Sequence, residues 1–243
     1  MQHQASQLKF KWQKSRSTTK GSKIKKKENI LPSKKRGDQK LDDFIKSMLD
    51  KVEIDAVWNI LPGMQEVFIG LIDKNYQGEE MCFILPGTHS KHILLNDGLI
   101  IDFKTYMTGE IFEMLIKHST LSEALEKVNE MDPSLFEQGV LRSVEGSSLL
   151  HEWFKVRTSH LLKKRSRIEN HSYLSGLLIG EELRYLKTYP GKIRLAAGSS
   201  LYQQYALALK VLQLSNVEFV SKEEESLSVV RGQWKVLNLV YGS

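Results

Sequence analysis

The segment from Met81 to Phe103 limits the possible folds of this chain more than any other. It contains three short apolar runs, Met81–Leu85, His92–Leu95 and Leu99–Phe103, and only Asn96-Asp97-Gly98 separates the last two. Asn, Asp and Gly tolerate a positive φ, so this tripeptide favours a tight turn between antiparallel strands. The segment therefore predicts a β-hairpin preceded by a third strand.

Helical patterns flank these strands. Met64–Ile72 predicts a helix before them, and beyond Thr108 the apolar residues recur at helical spacing. Two apolar stripes are expected there, one of Ile111, Phe112, Leu115 and Ile116, the other of Leu121, Leu125 and Val128. Asp132-Pro133 interrupts the pattern, because proline cannot continue a helix, and helical character then resumes over about 134–187.

The last third of the chain alternates strand and helix. Ile193–Ala197 predicts a strand, with Gly198 after it and Ser199 or Ser200 as the cap of a helix over Leu201–Leu214. Asn216–Val220 predicts another strand. Ser221 followed by Glu224 has the spacing of a capping box that opens a final helix. Together these patterns predict an α/β protein.

Positive charge is concentrated at the N-terminus. Residues 1–40 carry 13 Lys/Arg against two acids, whereas the other 203 residues carry 22 basic and 27 acidic side chains. Residues 1–38 have no apolar periodicity, so we expect a disordered basic tail. Such a tail either binds nucleic acid or another anionic surface, or is solvated without a dedicated partner, and the sequence leaves both open.

Composition restricts the compartment. Cys82 is the single cysteine, which excludes an intramolecular disulfide and fits a reducing compartment. No apolar run approaches the roughly 20 residues that span a bilayer, and the N-terminus lacks the apolar region of a secretory signal. We therefore expect a cytoplasmic protein with no membrane partner.

Two turns could bind a phosphate. Pro86-Gly87-Thr88 ends a strand where backbone N–H groups can approach an anion closely, with Ser90 and Lys91 adding a hydroxyl and a charge. "LAAGSSL", around Gly198, places a glycine and two serines between a strand and a helix. Each pattern also occurs in ordinary connections, so the residues alone leave both interpretations open.

Three blocks of the sequence resemble signatures of one kinase family. The blocks are "LPGTHSKH…IDFKTYMTGE", "FKVRTSHLL…YLSGLLIGEEL" and "LAAGSSL", in this order between about Phe68 and Val240. They are similar to the 2-dehydro-3-deoxygalactonokinases of the sugar kinase/Hsp70/actin superfamily. The resemblance implies an actin-like (ribonuclease H-like) ATPase lobe with a helical insertion. It also implies phosphorylation of 2-dehydro-3-deoxy-D-galactonate at its 6-hydroxyl with ATP and Mg²⁺, in galactonate catabolism.

The resemblance also implies roles for individual residues. The phosphate-binding hairpin would comprise Gly87, Thr88, His89, Ser90 and Lys91. The adenosine motif would contain Gly198 and Ser199, and the cleft would be lined by Thr105, Thr108, Gly109 and Glu110. Gly176 and Gly180 would let two helices cross closely. His118, His151, His160 and His171 are expected to be structural, and Mg²⁺ would be held by nucleotide phosphates rather than by a protein metal site.

Two parts of the family pattern have no clear counterpart. The first phosphate motif, an Asp-Trp-Gly-Ser/Thr turn, is missing, and Pro62-Gly63-Met64-Gln65 stands where the family has an Arg-Gly-Glu-Glu segment. Glu66, one or two positions on, is the candidate catalytic base. We expect an N-terminal lobe that is largely missing, a connector at 39–60, a C-terminal nucleotide-binding lobe at 61–243 with a helical part at about 108–187, and impaired activity.

The sequence leaves open three explanations for a chain that resembles the family in three blocks and lacks two parts of its pattern. The chain is a truncated or rearranged kinase, a non-catalytic pseudokinase whose basic arm binds an anionic partner, or the product of a mispredicted start or shifted frame.

Overall fold

A computed structural model describes residues 65–72, 79–97, 99–126, 130–146, 148–162 and 164–241. The expectations for the tail at 1–38, for the connector at 39–60 and for residues 62–64 lie outside these ranges. The described residues form an α/β structure around a mixed sheet. Within them, no helix combines the length and the apolar character needed to cross a bilayer.

The predicted hairpin is confirmed. Strands β1 (Glu80–Leu85), β2 (Ser90–Asn96) and β3 (Leu99–Tyr106) pair antiparallel, and Asp97 takes the positive φ (51°) that the turn requires. On the other side of β1 lie β4 (Lys192–Leu195) and then β5 (Val217–Phe219), both parallel to it. The sheet order is β3-β2-β1-β4-β5.

Helices occupy the sequence between and around the strands. In chain order they are α1 (Gln65–Leu71), α2 (Thr108–His118), α3 (Pro133–Val144), α4 (Leu149–Leu161), α5 (Arg167–Leu183), α6 (Ser199–Val211) and α7 (Lys222–Tyr241). Short 3-10 turns lie at Ser122–Ala124 and Arg184–Thr188. The helices predicted before the strands, over 134–187 and in the last third are confirmed.

Both faces of the sheet are covered. On one face Cys82 and Ile84 pack with residues of α3, α5 and α6 in one core cluster. On the other face Phe83 and Leu85 pack with Phe68 of α1 and with Val220, just before α7. This burial on both sides explains why β1 is an uninterrupted apolar run rather than an alternating one.

The close helix crossing expected from Gly176 and Gly180 is confirmed. A Cβ atom built on Gly176 would lie 2.1 Å from the carbonyl oxygen of Phe136 in α3, and one on Gly180 would lie 2.3 Å from Ser143 Oγ. Gly139 makes the reciprocal approach, with its Cβ position 2.2 Å from the carbonyl oxygen of Tyr173. The glycines therefore set the distance between α3 and α5.

Two local predictions were wrong. The stripe of Leu121, Leu125 and Val128 predicts a helix, but a single 3-10 turn, Ser122–Ala124, lies between its two leucines. Both leucines are buried beside α4 and α5, and Val128 lies outside the described residues. The side-chain NH₂ group of Asn170 donates to the Ala124 carbonyl oxygen at 3.2 Å. This carbonyl therefore has a hydrogen-bond partner without a further helical turn. The second error concerns α6, where Gly198, not Ser199 or Ser200, is the N-cap residue.

Candidate functional site

Several of the predicted site residues meet at one edge of the sheet. Strands β1 and β4 are parallel neighbours, with Ile84 opposite Leu195, so the loop at 86–89 and Gly198 both follow strand ends at the same edge. Strand β3 ends there too, because Tyr106 pairs with Ser90. We call this the carboxyl edge: residues 86–89, 105–110 and Gly198. Ligands of open α/β sheets bind at the carboxyl ends of parallel strands.

The first turn of α2 lies directly against the phosphate-loop candidate. The Glu110 amide donates to the carbonyl oxygen of Thr88 at 3.0 Å. A Cβ on Gly109 would lie 2.7 Å from the Gly87 carbonyl oxygen and 2.8 Å from Thr88 Cα, so this contact requires glycine. Two blocks that are about twenty residues apart in sequence therefore form one surface.

His89 is paired at this surface. Its Nε2 lies 2.5 Å from Glu110 Oε2, and both side chains are partly exposed, at 50% and 38%. A phosphate contact by His89 stays a prediction. Thr88 is exposed beside it, so its hydroxyl is accessible to a ligand.

Lys91 provides a buried positive charge under the loop. The side chain is 3% exposed, and its Nζ donates to the carbonyl oxygen of His89 at 3.0 Å. Burial lowers the pKa of this ammonium group below its ordinary value. Lys91 lies opposite Leu85 in β1 and opposite Thr105, which is exposed on β3.

Ser90 faces the interior rather than the solvent. It is fully buried, its Oγ lies 3.0 Å from the Tyr205 hydroxyl of α6, and the Gly87 amide donates to it at 3.4 Å. Burial and the nearby Glu182 raise the pKa of Tyr205 well above its ordinary value, which keeps this hydroxyl protonated. The Ser90 hydroxyl thus connects the loop to the core, and its direct contact with a phosphate stays a prediction.

The hydrogen bonds that lead inward from the loop through Ser90 and Tyr205 end on Glu182. The sequence patterns did not single out this residue. Tyr205 donates to Glu182 Oε2 at 2.8 Å, His92 Nε2 lies 2.9 Å from Glu182 Oε1, and Thr108 also donates to Oε2. Glu182 and His92 are both buried, at 2% and 0% exposure. One carboxylate thereby joins α5, β2, α2 and α6 beneath the carboxyl edge.

A signal for Glu182 exists in the sequence. It follows the apolar run "SYLSGLLIG" on a helix, where an acid is costly unless hydrogen-bonded donors surround it. The sequence does not say which donors these are, since they come from three other elements.

Gly198 leaves open space at the start of α6. It is exposed, has a φ of −54°, and a Cβ built on it would meet nothing within 4 Å. No side chain caps this helix start, and the first N–H groups of a helix favour an anion. The side chain of Ser199 lies outside the part of the chain that the structure describes.

Comparisons with known proteins identify the family. Residues 50–236 match the sequence profile of the family described as 2-keto-3-deoxy-galactonokinase. The chain belongs to this family. A 2-dehydro-3-deoxygalactonokinase of Escherichia coli (strain K12) is 35% identical over 164 residues, 66% of this chain and 55% of the relative. A Rhizobium meliloti (strain 1021) protein provisionally named for the same activity is 32% identical over 146 residues, 58% of this chain and 47% of the relative.

A solved structure has the same fold. The crystal structure of a 2-dehydro-3-deoxygalactonokinase candidate from Sinorhizobium meliloti matches with a TM-score of 0.66 and 27% identity, over 75% of this chain and 60% of that one. This kinase-family chain spans about half the length of the curated relatives it matches.

The remaining candidates occupy less informative positions. Glu66 lies in α1, but its side chain is outside the described part. Among the four histidines expected to be structural, His118 and His151 are exposed and His160 is partly exposed, whereas His171 is buried with its ring 5.0 Å from that of Phe112. Within the described residues, no group of three His, Cys, Asp or Glu could hold a metal ion.

Proposed function

We propose that this chain carries the nucleotide-binding lobe of a 2-dehydro-3-deoxygalactonokinase, with an actin-like fold over residues 61–243. The observation that carries the proposal is the shared carboxyl edge. The loop at 86–89 and the open N-terminus of α6 at Gly198 follow neighbouring parallel strands, which lie roughly 4.8 Å apart in a sheet. A nucleotide can therefore reach both motifs at once.

Different residues of the carboxyl edge would bind different parts of ATP. Gly87 allows close approach of a phosphate to the backbone, and the exposed Thr88 hydroxyl donates to a phosphate oxygen. Lys91 supplies a positive charge from below, with His89 and Ser90 as further members of the hairpin. Adenosine would lie beside Gly198 and Ser199, and Thr105, Thr108, Gly109 and Glu110 would line the cleft.

The proposed reaction is a phosphoryl transfer. The 6-hydroxyl oxygen of 2-dehydro-3-deoxy-D-galactonate attacks the γ-phosphorus of ATP, the bond from that phosphorus to the bridging oxygen of ADP breaks, and the hydroxyl proton passes to a carboxylate. Glu66 is the candidate for this base. Mg²⁺, held by the phosphates, would neutralise the charge that develops on them.

This chain by itself should have low activity. Phosphoryl transfer needs electrostatic stabilisation of the phosphates from several directions, and the sequence contains no Asp-Trp-Gly turn for the opposite side. Gln65 and Met64 stand where the family places its acids, and the loss of a general base typically costs about 10²–10⁴-fold in rate.

The test is an ADP-release assay with ATP, Mg²⁺ and 2-dehydro-3-deoxy-D-galactonate, run beside a titration of the chain with ATP. We expect ATP to bind and turnover to be weak, and binding should disappear in a Thr88→Ala, Lys91→Ala double variant. Turnover at the ordinary kinase rate of about 1–100 s⁻¹ would show that the activity is unimpaired. No binding of ATP would contradict the nucleotide site.

The basic segment favours a second candidate, a pseudokinase that binds an anionic partner. Thirteen Lys/Arg within residues 1–40 would release counterions from a nucleic acid on binding. The affinity of the full chain for a DNA or RNA duplex should then fall steeply with salt, and deletion of residues 1–38 should remove that dependence. Equal, weak binding by both forms would exclude this candidate.

A further inference from the structure

We infer that Glu182 is a positioning residue for the proposed nucleotide site: its buried carboxylate holds the phosphate loop at 86–89 and the first turn of α2 in the geometry that receives ATP. This inference rests on the proposed function, because it concerns the same carboxyl edge. Glu182 does not line the loop itself and acts through Tyr205, Ser90 and Thr108.

The direction of the hydrogen bonds follows from the chemistry of a carboxylate, which accepts and does not donate. The single proton of the Tyr205 hydroxyl is donated to Glu182 Oε2, so a hydrogen bond between Ser90 and Tyr205 uses the Ser90 proton. This contact, at 3.0 Å, is shorter than the alternative one from Ser90 Oγ to the Gly87 carbonyl oxygen, at 3.5 Å. The Ser90 oxygen is then free to accept from the Gly87 amide. Three hydrogen bonds in series thus run from the loop backbone to Glu182.

A second hydrogen bond to Glu182, separate from the series through Tyr205 and Ser90, fixes α2. Thr108, the first residue of that helix, donates to the same oxygen of Glu182. The next two residues contact the loop: Gly109 lies against the Gly87 carbonyl, and the Glu110 amide donates to Thr88. A displacement of Thr108 would therefore displace the loop as well.

A third contact, from His92, holds the Glu182 carboxylate itself. His92 Nε2 meets Oε1 at 2.9 Å, and His92 Nδ1 lies 2.9 Å from the Tyr185 hydroxyl. A carboxylate at Glu182 accepts from Nε2, and in the neutral form of the ring Nδ1 then accepts from Tyr185. Donors therefore approach both carboxylate oxygens. Glu182, His92 and Tyr205 are buried, where hydrogen bonds to a charged group are strong, whereas Thr108 and Tyr185 are partly exposed.

An amide in place of the carboxylate satisfies these partners less well. In Glu182→Gln one of the two oxygens becomes an NH₂ group, so either His92 must change tautomer and accept, or the pair of Thr108 and Tyr205 would face another donor. In both arrangements the hydrogen bonds lose the charge of the acceptor, which makes them weaker. Tyr205→Phe removes only the link from Ser90 and leaves the carboxylate with its other two partners. The two substitutions therefore test the same connection in different ways.

The experiment measures amide exchange by NMR and ATP affinity in the full chain with MgCl₂. In Glu182→Gln and Tyr205→Phe the Gly87 and Glu110 amides should exchange at least about tenfold faster than in the wild type. The dissociation constant for ATP should rise at least about tenfold, the equivalent of 1.4 kcal/mol. The Ala196 amide, which donates to the Ile84 carbonyl at 3.0 Å in the sheet, should change less than the Gly87 amide.

Two controls separate positioning from stability. Glu181→Gln alters the neighbouring carboxylate, which is 40% exposed and lies 3.6 Å from Arg184, and it should leave exchange at Gly87 and ATP affinity unchanged. Val156→Ala truncates a fully buried side chain in a different core cluster. It should lower the unfolding temperature without a selective effect on the loop or on ATP affinity.

Each outcome gives a decision. Faster exchange at Gly87 and Glu110 with weaker ATP binding supports the inference. Equal acceleration at Gly87 and Ala196, unchanged exchange in Tyr205→Phe, or unchanged ATP affinity in both variants would overturn it. If the wild-type chain binds no ATP, the proposed function fails, and the exchange rates still decide whether Glu182 orders the loop.

Discussion

The carbonyl oxygen of Gly87 lies 2.7 Å from the position that a Cβ atom on Gly109 would occupy. The phosphate-loop candidate and the first turn of α2 are therefore in backbone contact. No residue with a side chain fits at position 109 unless one of the two segments moves.

Gly109→Ala should both destabilise the protein and weaken nucleotide binding. Overpacking of this kind costs about 1–3 kcal/mol in the free energy of unfolding, and relief of the clash displaces Thr88. Urea unfolding and an ATP titration measure the two effects. Met114→Ala, at a 52%-exposed position of the same helix, is the control and should stay within about 0.5 kcal/mol of the wild type. A Gly109→Ala protein as stable as that control would contradict the contact.

Gly198→Ala should separate folding from binding. The backbone at this residue suits alanine, with a φ of −54° and open space around the new methyl group. The loss of an N-cap glycine costs up to about 1 kcal/mol in the free energy of unfolding. If adenosine lies against this residue, the methyl group should weaken ATP binding at least about tenfold, the equivalent of 1.4 kcal/mol. Unchanged affinity would place the nucleotide elsewhere.

Gly176→Ala should be strongly destabilising. The new Cβ would lie 2.1 Å from the Phe136 carbonyl oxygen, and backbone on both sides leaves only a shift of whole helices. We expect a loss of about 3 kcal/mol or more, at the upper end for overpacking. Gly146→Asn is the control, because Gly146 has a φ of 83° with no neighbour near its Cβ position and asparagine tolerates that conformation. A mild effect at position 176 would argue against the close crossing of α3 and α5.

Lys91→Met should weaken ATP binding without loss of stability at neutral pH. Burial lowers the pKa of Lys91, so the native state carries an unfavourable buried charge below that pKa. Between the lowered pKa and the unfolded value of about 10.4, the unfolded chain binds more protons and the contribution of Lys91 to stability rises with pH. The methionine variant should therefore unfold at the wild-type temperature or above it at pH 7, and this advantage should shrink as the pH rises towards 10.

The control for that comparison is Lys210→Met, at an exposed position of α6. It should not alter the pH dependence of unfolding. A Lys91→Met protein that unfolds several degrees below the wild type at pH 7 would show that the ammonium group stabilises the fold instead.

Sequence patterns were sufficient where the cause is local. The hairpin followed from Asn96-Asp97-Gly98, and the start of α7 from Ser221, whose Oγ accepts from the Glu224 amide at 3.1 Å. Even there one detail differs from a capping box: the Glu224 carboxylate lies 2.9 Å from the guanidinium of Arg194. A tertiary ion pair thus uses the side chain that local rules assign to the cap.

The interior of the site could not be predicted in the same way. Glu182, His92, Thr108 and Tyr205 come from four elements that are distant in the chain, and only the folded sheet brings them together. Ser90 illustrates the consequence. Its place in the loop motif suggests a phosphate donor, whereas its burial against Tyr205 shows a connection to the core.

A crystal structure of the full chain with ADP and Mg²⁺ tests the proposed nucleotide site most directly. We predict that the ADP phosphates lie within hydrogen-bond distance of Thr88 or Lys91 and that the adenosine lies beside Gly198, at the carboxyl edge. A nucleotide bound away from both the loop at 86–89 and the start of α6 would contradict this prediction.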